Sequence, residues 1–195
     1  EASGVVDAVG DGVTTVAVGD EVIAYRAAGA YTSDLIVPVS ALTPKPAGLG
    51  WAEAAGLMLT GATAWHALVA SGARAGDTVL VHGGAGGVGQ MLLQLARLWG
   101  IGVVATANER NHDLLRGFGA TPIGYGAGLL ERARTAAPGG YAAAIDLVGT
   151  DEAIDASLAL VPADRVVSIA AFGRAGDGIT LIGGGPGADP GTELR

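Results

Sequence analysis

TVLVHGGAGGVGQMLLQLARLWG, residues 78–100, is the stretch that decides the fold. Its β-branched start predicts a strand over Thr78–His82, and a glycine-rich turn follows directly. Apolar residues at helical spacing then form one stripe over Val88–Leu98, and Gly100 is a typical helix stop. A strand, a tight turn and an amphipathic helix in this order predict the first part of a βαβ unit.

The glycine-rich turn also indicates chemistry, because residues 84–89 match the pattern G-x-G-x-x-G. Glycines let a phosphate approach the backbone, and the N-terminus of the following helix offers free N–H donors. Gly89 would let helix and strand pack closely. Gln90 and Met91 stand where the phosphate loop of NTPases needs Lys and Ser or Thr. The turn therefore predicts a pyrophosphate cradle, with a methyltransferase-type nucleotide site or a turn without ligand as alternatives.

Strands and helices alternate after this unit. Such alternation predicts a parallel sheet with right-handed crossovers, hence an α/β fold. The further predicted strands are Gly102–Thr106, Pro122–Gly124, Ala142–Val148 and Arg165–Phe172, and the predicted helices are Glu109–Phe118, Leu129–Ala136 and Asp151–Leu160.

The first 45 residues have a different sequence pattern. Short β-branched runs separated by Gly and Asp predict strands within SGVVDAVG, VTTVAV, VGDEVIAY and AYTSDLIVPV. The Pro/Gly connector PKPAGLG (44–50) marks the predicted domain boundary, with a β-rich domain over 1–45 and an α/β domain over 46–195. Residues 51–70 predict a helix that is interrupted near Thr60 and Gly61.

Composition narrows the possible functions. The chain has 195 residues, a formal net charge of −8 and no cysteine. The negative charge argues against a nucleic-acid or anionic-membrane surface, and the absence of thiols excludes a thiolate metal site and disulfides. This composition is consistent with a cytoplasmic location. Both ends lie beside predicted elements, so we interpret the chain as a piece of a longer protein.

The ribose end of the predicted site distinguishes two cofactors. NAD-binding proteins usually carry an acidic residue at the tip of the second strand. Here Ala107 and Asn108 occupy that tip, and Glu109 comes just beyond it. Asn108, Arg110 and Asn111 could donate to a 2′-phosphate, so the sequence favours NADP(H) over NAD(H).

Several segments together resemble the medium-chain dehydrogenase/reductase superfamily, and more narrowly its zinc-independent quinone oxidoreductase group. EASGVVDAVGDGVTTVAVGDEVIAY is similar to the end of the family's catalytic domain, and AGDTVLVHGGAGGVGQMLLQLARLWG is similar to its cofactor signature. IDLVGT and DRVVSIAAFGR are similar to later strands. The resemblance implies a doubly wound parallel Rossmann-type sheet, preceded by a β-rich remnant of a GroES-like catalytic domain.

The resemblance also implies site residues. Thr63 would lie near the nicotinamide, and Tyr125 beside the adenosine 2′-phosphate. Asn111 stands where the family often has a phosphate-binding lysine, and Arg110 is a possible substitute. Together with the reasoning from the end of the second strand, the resemblance gives the predicted cofactor-binding residues Thr63, Gly86, Gly87, Val88, Asn108, Arg110, Asn111, Tyr125, Val148 and Phe172.

Zinc is not expected. Met58 and Leu59 stand where zinc-dependent members of the family have a thiolate. The three histidines, His66, His82 and His112, have no ligand spacing. No residue of the chain stands out as a catalytic proton donor.

The sequence therefore predicts an NADPH-dependent oxidoreductase that reduces a quinone or an α,β-unsaturated carbonyl compound without zinc. Two alternatives remain: an enoyl reductase unit of a larger synthase, and a non-catalytic protein that binds a nicotinamide nucleotide. The resemblance further implies a homodimer that pairs through the edge strand at residues 178–183.

Overall fold

The computed structural model describes residues 1–183. The chain divides into two compact units, the first being Glu1–Ala62 and the second beginning at Thr63. The sequence places the domain boundary between residues 45 and 46, and that functional boundary stays a prediction.

The first unit contains a three-stranded antiparallel sheet in the order β1-β2-β3, with β1 at Ala2–Val5, β2 at Glu21–Ala24 and β3 at Leu42–Pro44. The strands predicted in VTTVAV (13–18) and AYTSDLIVPV (30–39) are wrong. Tyr31 and Ile36 are fully exposed, so their β-propensity finds no packed surface to fit. The third strand, β3, begins only after a short 3₁₀ turn at Val39–Ala41.

Two helices follow, α1 at Trp51–Ala55 within the first unit and α2 at Leu57–Ser71, which continues along the chain into the second unit. The predicted interruption near Thr60 and Gly61 is wrong, because the break lies at Gly56, the C-cap of α1. The Thr60 hydroxyl donates to the Gly56 carbonyl over 2.6 Å, which satisfies this polar group within the helix.

The second unit is built on a six-stranded parallel sheet in the order β6-β5-β4-β7-β8-β9. This confirms the predicted doubly wound fold, in which the strand order reverses between β4 and β7. The strands are β4 Thr78–His82, β5 Gly102–Thr106, β6 Thr121–Ile123, β7 Ala143–Asp146, β8 Val166–Ser168 and β9 Thr180–Leu181.

Helices cover both faces of this sheet. They are α3 Gly87–Leu98, α4 His112–Gly117, α5 Leu129–Ala136 and α6 Asp151–Leu158. On one face α2, α3 and α4 bury Leu68, Leu92 and Leu115, and on the other α5 and α6 bury Leu129 and Ile154. Within residues 1–183 no helix is long and apolar enough to cross a bilayer.

Gly89 allows α3 to begin close to the glycine turn. A Cβ atom at Gly89 would lie 2.5 Å from the carbonyl oxygen of Gly83 and 2.6 Å from that of Gly84. Because both neighbours are backbone atoms, we expect Gly89→Ala to lower the free energy of unfolding by about 3 kcal/mol. Urea denaturation measures this change.

The matched control is Gly61→Ala in α2. Its new Cβ would meet only the Leu57 side chain, at 3.9 Å. We expect a gain of about 0.5–1 kcal/mol, because alanine has the lower conformational entropy to lose in a helix. A Gly89→Ala protein as stable as this control would contradict the close-packing explanation.

Candidate functional site

The glycine turn after β4 is held against the end of β5. The N–H of Gly83 donates to Thr106 Oγ1 over 3.1 Å, and the N–H of Gly84 donates to the Thr106 carbonyl over 3.0 Å. Gly83 has a φ of 84°, which favours glycine. A Cβ at Gly84 would lie 2.7 Å from the Ala105 Cβ. Missing side chains thus let the turn fold back onto the neighbouring strand.

The N-terminus of α3 presents unused hydrogen-bond donors. Gly86 is the N-cap and supplies no side chain, and the first intrahelical bond runs from the Gln90 N–H to the Gly86 carbonyl over 2.9 Å. Within residues 1–183 the N–H groups of Gly87 and Val88 have no hydrogen-bond acceptor. The positive end of a helix with free donors is suited to bind an anion such as a pyrophosphate.

Four buried polar side chains form a row across the sheet at the level of this turn. Thr106, His82, Asp146 and Ser168 are in register on β5, β4, β7 and β8. Each is at most 3% exposed. Buried polar groups are retained where hydrogen bonds satisfy them. Thr106, Asp146 and Ser168 bind N–H groups of the loops that leave the strands, whereas His82 lies beside Ser157 of α6.

Asp146 is the centre of this network. Its carboxylate accepts hydrogen bonds from the Ser168 hydroxyl (2.6 Å) and from the N–H groups of Val148 (3.1 Å) and Gly149 (3.0 Å). Ser168 Oγ in turn accepts from the N–H groups of residues 170–171, over 3.1 and 2.9 Å. These bonds take the backbone out of the sheet, so β7 and β8 end before the predicted ends at residues 148 and 172.

Close approaches between glycines and their neighbours join the loops at the carboxyl ends of the strands. A Cβ at Gly83 would lie 2.9 Å from Val148 Cγ1, and a Cβ at Gly149 would lie 2.9 Å from the Ala170 carbonyl carbon. Val148 is 48% exposed and Phe172 is 44% exposed. The loops after β4, β7 and β8 are therefore contiguous and present apolar side chains.

Arg174 fixes the segment that follows Phe172. Its guanidinium binds Asp155 (2.8 Å) and Asp151 (2.8 Å) of α6, and also Asp177 (2.6 Å). Hydrogen bonds to Asp155, Asp151 and Asp177 raise the pKa of Arg174 further above its usual range. The segment after β8 is thus tied to the start of α6.

The ends of β5 and β6 form the other half of the edge. The Ala107 N–H donates to the Ile123 carbonyl over 3.0 Å, so the loops that follow lie side by side. Asn108 Oδ1 accepts from the Arg110 N–H over 3.1 Å, which caps a short 3₁₀ turn. The Asn108 amide nitrogen, the Arg110 guanidinium and the 58% exposed Tyr125 are the groups here that could meet a phosphate.

The structure places nine of the ten predicted residues after the carboxyl ends of strands, where ligands of open α/β sheets bind. Thr63 alone lies elsewhere, within α2, and its place near a nicotinamide stays a prediction, as do the roles of the nine. The nine residues are Gly86, Gly87, Val88, Asn108, Arg110, Asn111, Tyr125, Val148 and Phe172.

Sequence reasoning missed the residues that support this edge. Asp146 carries a signal, since a carboxylate within the apolar run of a central strand implies buried partners. Arginines that bind loop carbonyls or distant carboxylates carry none. The missed residues are Thr106, Asp146, Ser168, Arg174 and Arg132, whose guanidinium binds carbonyl groups of the loop after β6.

No metal centre is formed by the part of the chain that the structure describes: no three His, Asp or Glu residues there group to hold an ion. The absence of zinc stays a prediction. His82 instead lies beside Ser157, with Nε2 3.2 Å from Oγ. Burial lowers the pKa of His82 from 6.5 to about 4, against the smaller raising effects of Asp146 and Glu152.

Comparison with known proteins finds similar sequences. A family model described as zinc-binding dehydrogenase matches residues 87–182. The chain is 41% identical over 119 residues to a mycocerosic acid synthase-like polyketide synthase of Mycobacterium tuberculosis, a match that covers 60% of this chain and 6% of the synthase.

Solved structures resemble nearly the whole chain. The CurK enoyl reductase matches with a TM-score of 0.76 at 28% identity over 92% of this chain. The quinone oxidoreductase of Pseudomonas syringae pv. Tomato DC3000 gives 0.79 at 28% identity over 94%. A mycobacterial protein complexed with NADPH gives 0.77 at 34% identity over 94%. The chain spans 58%, 62% and 62% of these three proteins, respectively.

The buried ring of His82 makes stability depend on pH. The unfolded chain protonates His82 below its ordinary pKa of 6.5, whereas the folded chain keeps the ring neutral down to about pH 4. Stability that is fully present above pH 6.5 is therefore lost as the pH falls, by about 2 kcal/mol between about pH 7.5 and pH 5. Urea unfolding at both pH values measures this loss.

Two variants separate the ring's charge from its hydrogen bond. His82→Gln removes the titrating group, so we expect its stability to fall less than that of the wild type over the same pH range. Ser157→Ala removes the partner of the ring but should keep the full pH dependence. The same pH dependence in His82→Gln and the wild type would refute the assignment.

Proposed function

Because the chain belongs to the medium-chain dehydrogenase/reductase superfamily, we propose that it is an NADPH-dependent reductase of α,β-unsaturated carbonyl compounds that works without catalytic zinc. The observation that carries the proposal is the glycine turn whose helix offers the N–H groups of Gly87 and Val88 to an anion. The polyketide synthase relative and the enoyl reductase neighbour favour an enoyl thioester as substrate. The chain would then be the enoyl reductase unit of a larger synthase.

The preference for NADP(H) rests on the end of β5. The first residues beyond this strand are Ala107 and Asn108, so no carboxylate occupies the tip to repel a 2′-phosphate. Glu109 and Arg110 follow, both exposed, and Arg110 supplies a positive charge. A neighbour of known structure is complexed with NADPH, which supports the same choice.

The residues of the chain bind and orient rather than exchange protons. The N–H groups of Gly87 and Val88 would hold the pyrophosphate, and Asn108 and Arg110 the adenosine phosphate. The apolar side chains of Val148 and Phe172 would border the nicotinamide and exclude water from it. When bound, the nicotinamide supplies the hydride. The cytoplasmic location expected from composition remains part of this proposal.

A quinone is the second candidate substrate, favoured by the likeness to the quinone oxidoreductase of Pseudomonas syringae. The two candidates differ in the acceptor, since an enoyl thioester takes the hydride at its β-carbon whereas a quinone is reduced to the hydroquinone. A third possibility, a protein that binds the nucleotide without turnover, differs from both in having no acceptor.

Binding of nicotinamide nucleotides is the first test. We expect NADPH to quench tryptophan fluorescence with a Kd about tenfold below that of NADH, equivalent to about 1.4 kcal/mol. Gly87→Asp places a carboxylate at the free N–H groups and should abolish binding of both nucleotides. Gly139→Asp is the matched control, because Gly139 is exposed with open space around it. If the wild type binds neither nucleotide, the proposal is wrong. A lower Kd for NADH than for NADPH would overturn the choice of cofactor.

Turnover then distinguishes the substrates. NADPH oxidation is followed by absorbance with crotonyl-N-acetylcysteamine thioester and with benzoquinone as acceptors. Faster oxidation with the thioester supports the enoyl reductase, and faster oxidation with the quinone supports the second candidate. If NADPH binds but neither acceptor oxidises it, the result would support the hypothesis of a non-catalytic nucleotide-binding protein.

We also propose a homodimer that pairs through β9. Among the described residues no strand pairs with the outer side of β9, and an open edge is a template for pairing. The Ile182 N–H faces inward, donating to the Ser168 carbonyl over 3.0 Å, so the N–H of Leu181 faces outward. Leu181→Pro should remove this outward donor and convert a dimer to a monomer in sedimentation experiments. A monomeric wild type would refute the dimer.

A further inference from the structure

The loop between β6 and α5, residues Gly124–Gly128, is the most glycine-rich part of the edge after the turn at Gly83. It reads GYGAG, and Gly126 and Gly128 have φ values of 87° and 82°. Such a loop loses much conformational entropy when it is ordered. It nevertheless carries Tyr125, which is 58% exposed. The Tyr125 ring can have a fixed position only if other residues bind the backbone of the loop.

Arg132 holds the loop through its whole guanidinium. Nε donates to the Gly124 carbonyl (2.9 Å), Nη2 to the Gly126 carbonyl (2.9 Å) and Nη1 to the Ala127 carbonyl (2.8 Å). Hydrogen bonds from a charged donor are stronger than neutral ones. A Cβ at Gly128 would come within 3.2 Å of Nη1, so the glycine leaves room for the guanidinium.

A second side chain also binds the loop. Glu152, in the first turn of α6, accepts a hydrogen bond from the Gly126 N–H over 3.0 Å. Both polar groups of the Gly126 backbone are therefore occupied, the carbonyl by Arg132 and the N–H by Glu152. The ordering of the loop is thus completed by the protein alone.

The charge of Arg132 is not neutralised by an ion pair. Its three hydrogen bonds go to neutral carbonyls, and none of the ion pairs found among residues 1–183 involves it. By contrast, Arg134 on the same helix pairs with Glu131 over 2.8 Å. Because the Glu152 carboxylate binds the same glycine and opposes this charge, Arg132 acts on the shape of the loop rather than through a net positive potential.

The position of the loop gives this arrangement a use. β6 lies beside β5 in the sheet, and the Ala107 N–H binds the Ile123 carbonyl. The loop that carries Tyr125 therefore adjoins the segment that carries Asn108 and Arg110. In open α/β sheets the tip of this second strand is where the adenosine ribose is bound.

We infer that Arg132 is a positioning residue that fixes Tyr125 for the 2′-phosphate of NADP(H) and so determines the preference for the phosphorylated nucleotide. The inference rests on the proposed function. Arg132 acts through the loop, because its donors are occupied by loop carbonyls rather than free for the nucleotide. A loop ordered in advance binds more tightly, since no ordering entropy is lost on binding.

The test compares Kd values for NADPH and NADH in charge-matched variants. Arg132→Gln releases the loop, and we expect the Kd for NADPH to rise about tenfold and that for NADH less than about threefold. Arg134→Gln removes the same charge from the same helix and should change both values less than about twofold. Arg132→Lys, with one donor group, should fall between the wild type and Arg132→Gln.

A Tyr125→Ala background shows whether Arg132 acts through this side chain. There Arg132→Gln should change the Kd for NADPH less than about twofold, because the group it positions is already missing. If Arg132→Gln does not fold, Glu152→Ala releases the Gly126 N–H of the loop and should raise the Kd for NADPH selectively.

The outcomes separate this inference from the proposed function. A wild type that binds NADPH tightly, with an NADPH-to-NADH ratio unchanged in both Arg132→Gln and Glu152→Ala, overturns the inference alone. Equal weakening of both nucleotides also overturns it, because the loop would then serve general stability. A wild type that binds neither nucleotide overturns the proposed function and this inference together.

Discussion

The carboxylate of Asp146 has no surface exposed to solvent, so it must find all its hydrogen bonds inside the protein. A buried charge without partners destabilises the folded state by several kcal/mol. Here the donors are a serine on the next strand and the backbone of the loop that follows Asp146 itself. Satisfying one charge therefore fixes where two strands end and which way their loops leave the sheet. The positions of the apolar side chains Val148 and Phe172, which these loops carry, depend on that geometry.

The edge of the sheet is shaped by three different physical means. Missing side chains shape the turn after β4, since Gly83, Gly84 and Gly89 let backbone segments approach one another. A buried carboxylate shapes the loops after β7 and β8. A cation, Arg132, shapes the loop after β6. A bound nucleotide would thus meet a turn held by close packing, two loops held by a buried carboxylate and one loop held by an arginine.

Hydrophobic period predicted most of the second unit. The strands at Thr78–His82 and Gly102–Thr106 and the helix at Leu129–Ala136 have the predicted limits, because each combines a regular apolar pattern with glycine or cap signals at its ends. The pattern failed at residues 13–18 and 30–39, where β-branched residues have no packed surface to cover. Local propensity describes a strand only when tertiary contacts agree with it.

The candidate site could be placed from sequence, but its support could not. The glycine spacing and the strand ends are local patterns with a fixed period in the sequence. The partners of Asp146 and Arg174 lie up to 23 residues away, and Arg132 binds carbonyl groups, which every residue has. Such contacts depend on how loops fold in space and leave no fixed spacing in the chain.

The close approach of Val148 to Gly83 restricts which residues the turn after β4 can accommodate. Any other residue at 83 adds a Cβ atom that meets Val148 at 2.9 Å, and the φ of 84° is unfavourable for it as well. A smaller residue at 148 would relieve only the first of these problems. Position 83 is therefore restricted to glycine by its own backbone, and the space that this leaves lets the Val148 side chain lie close to the turn after β4.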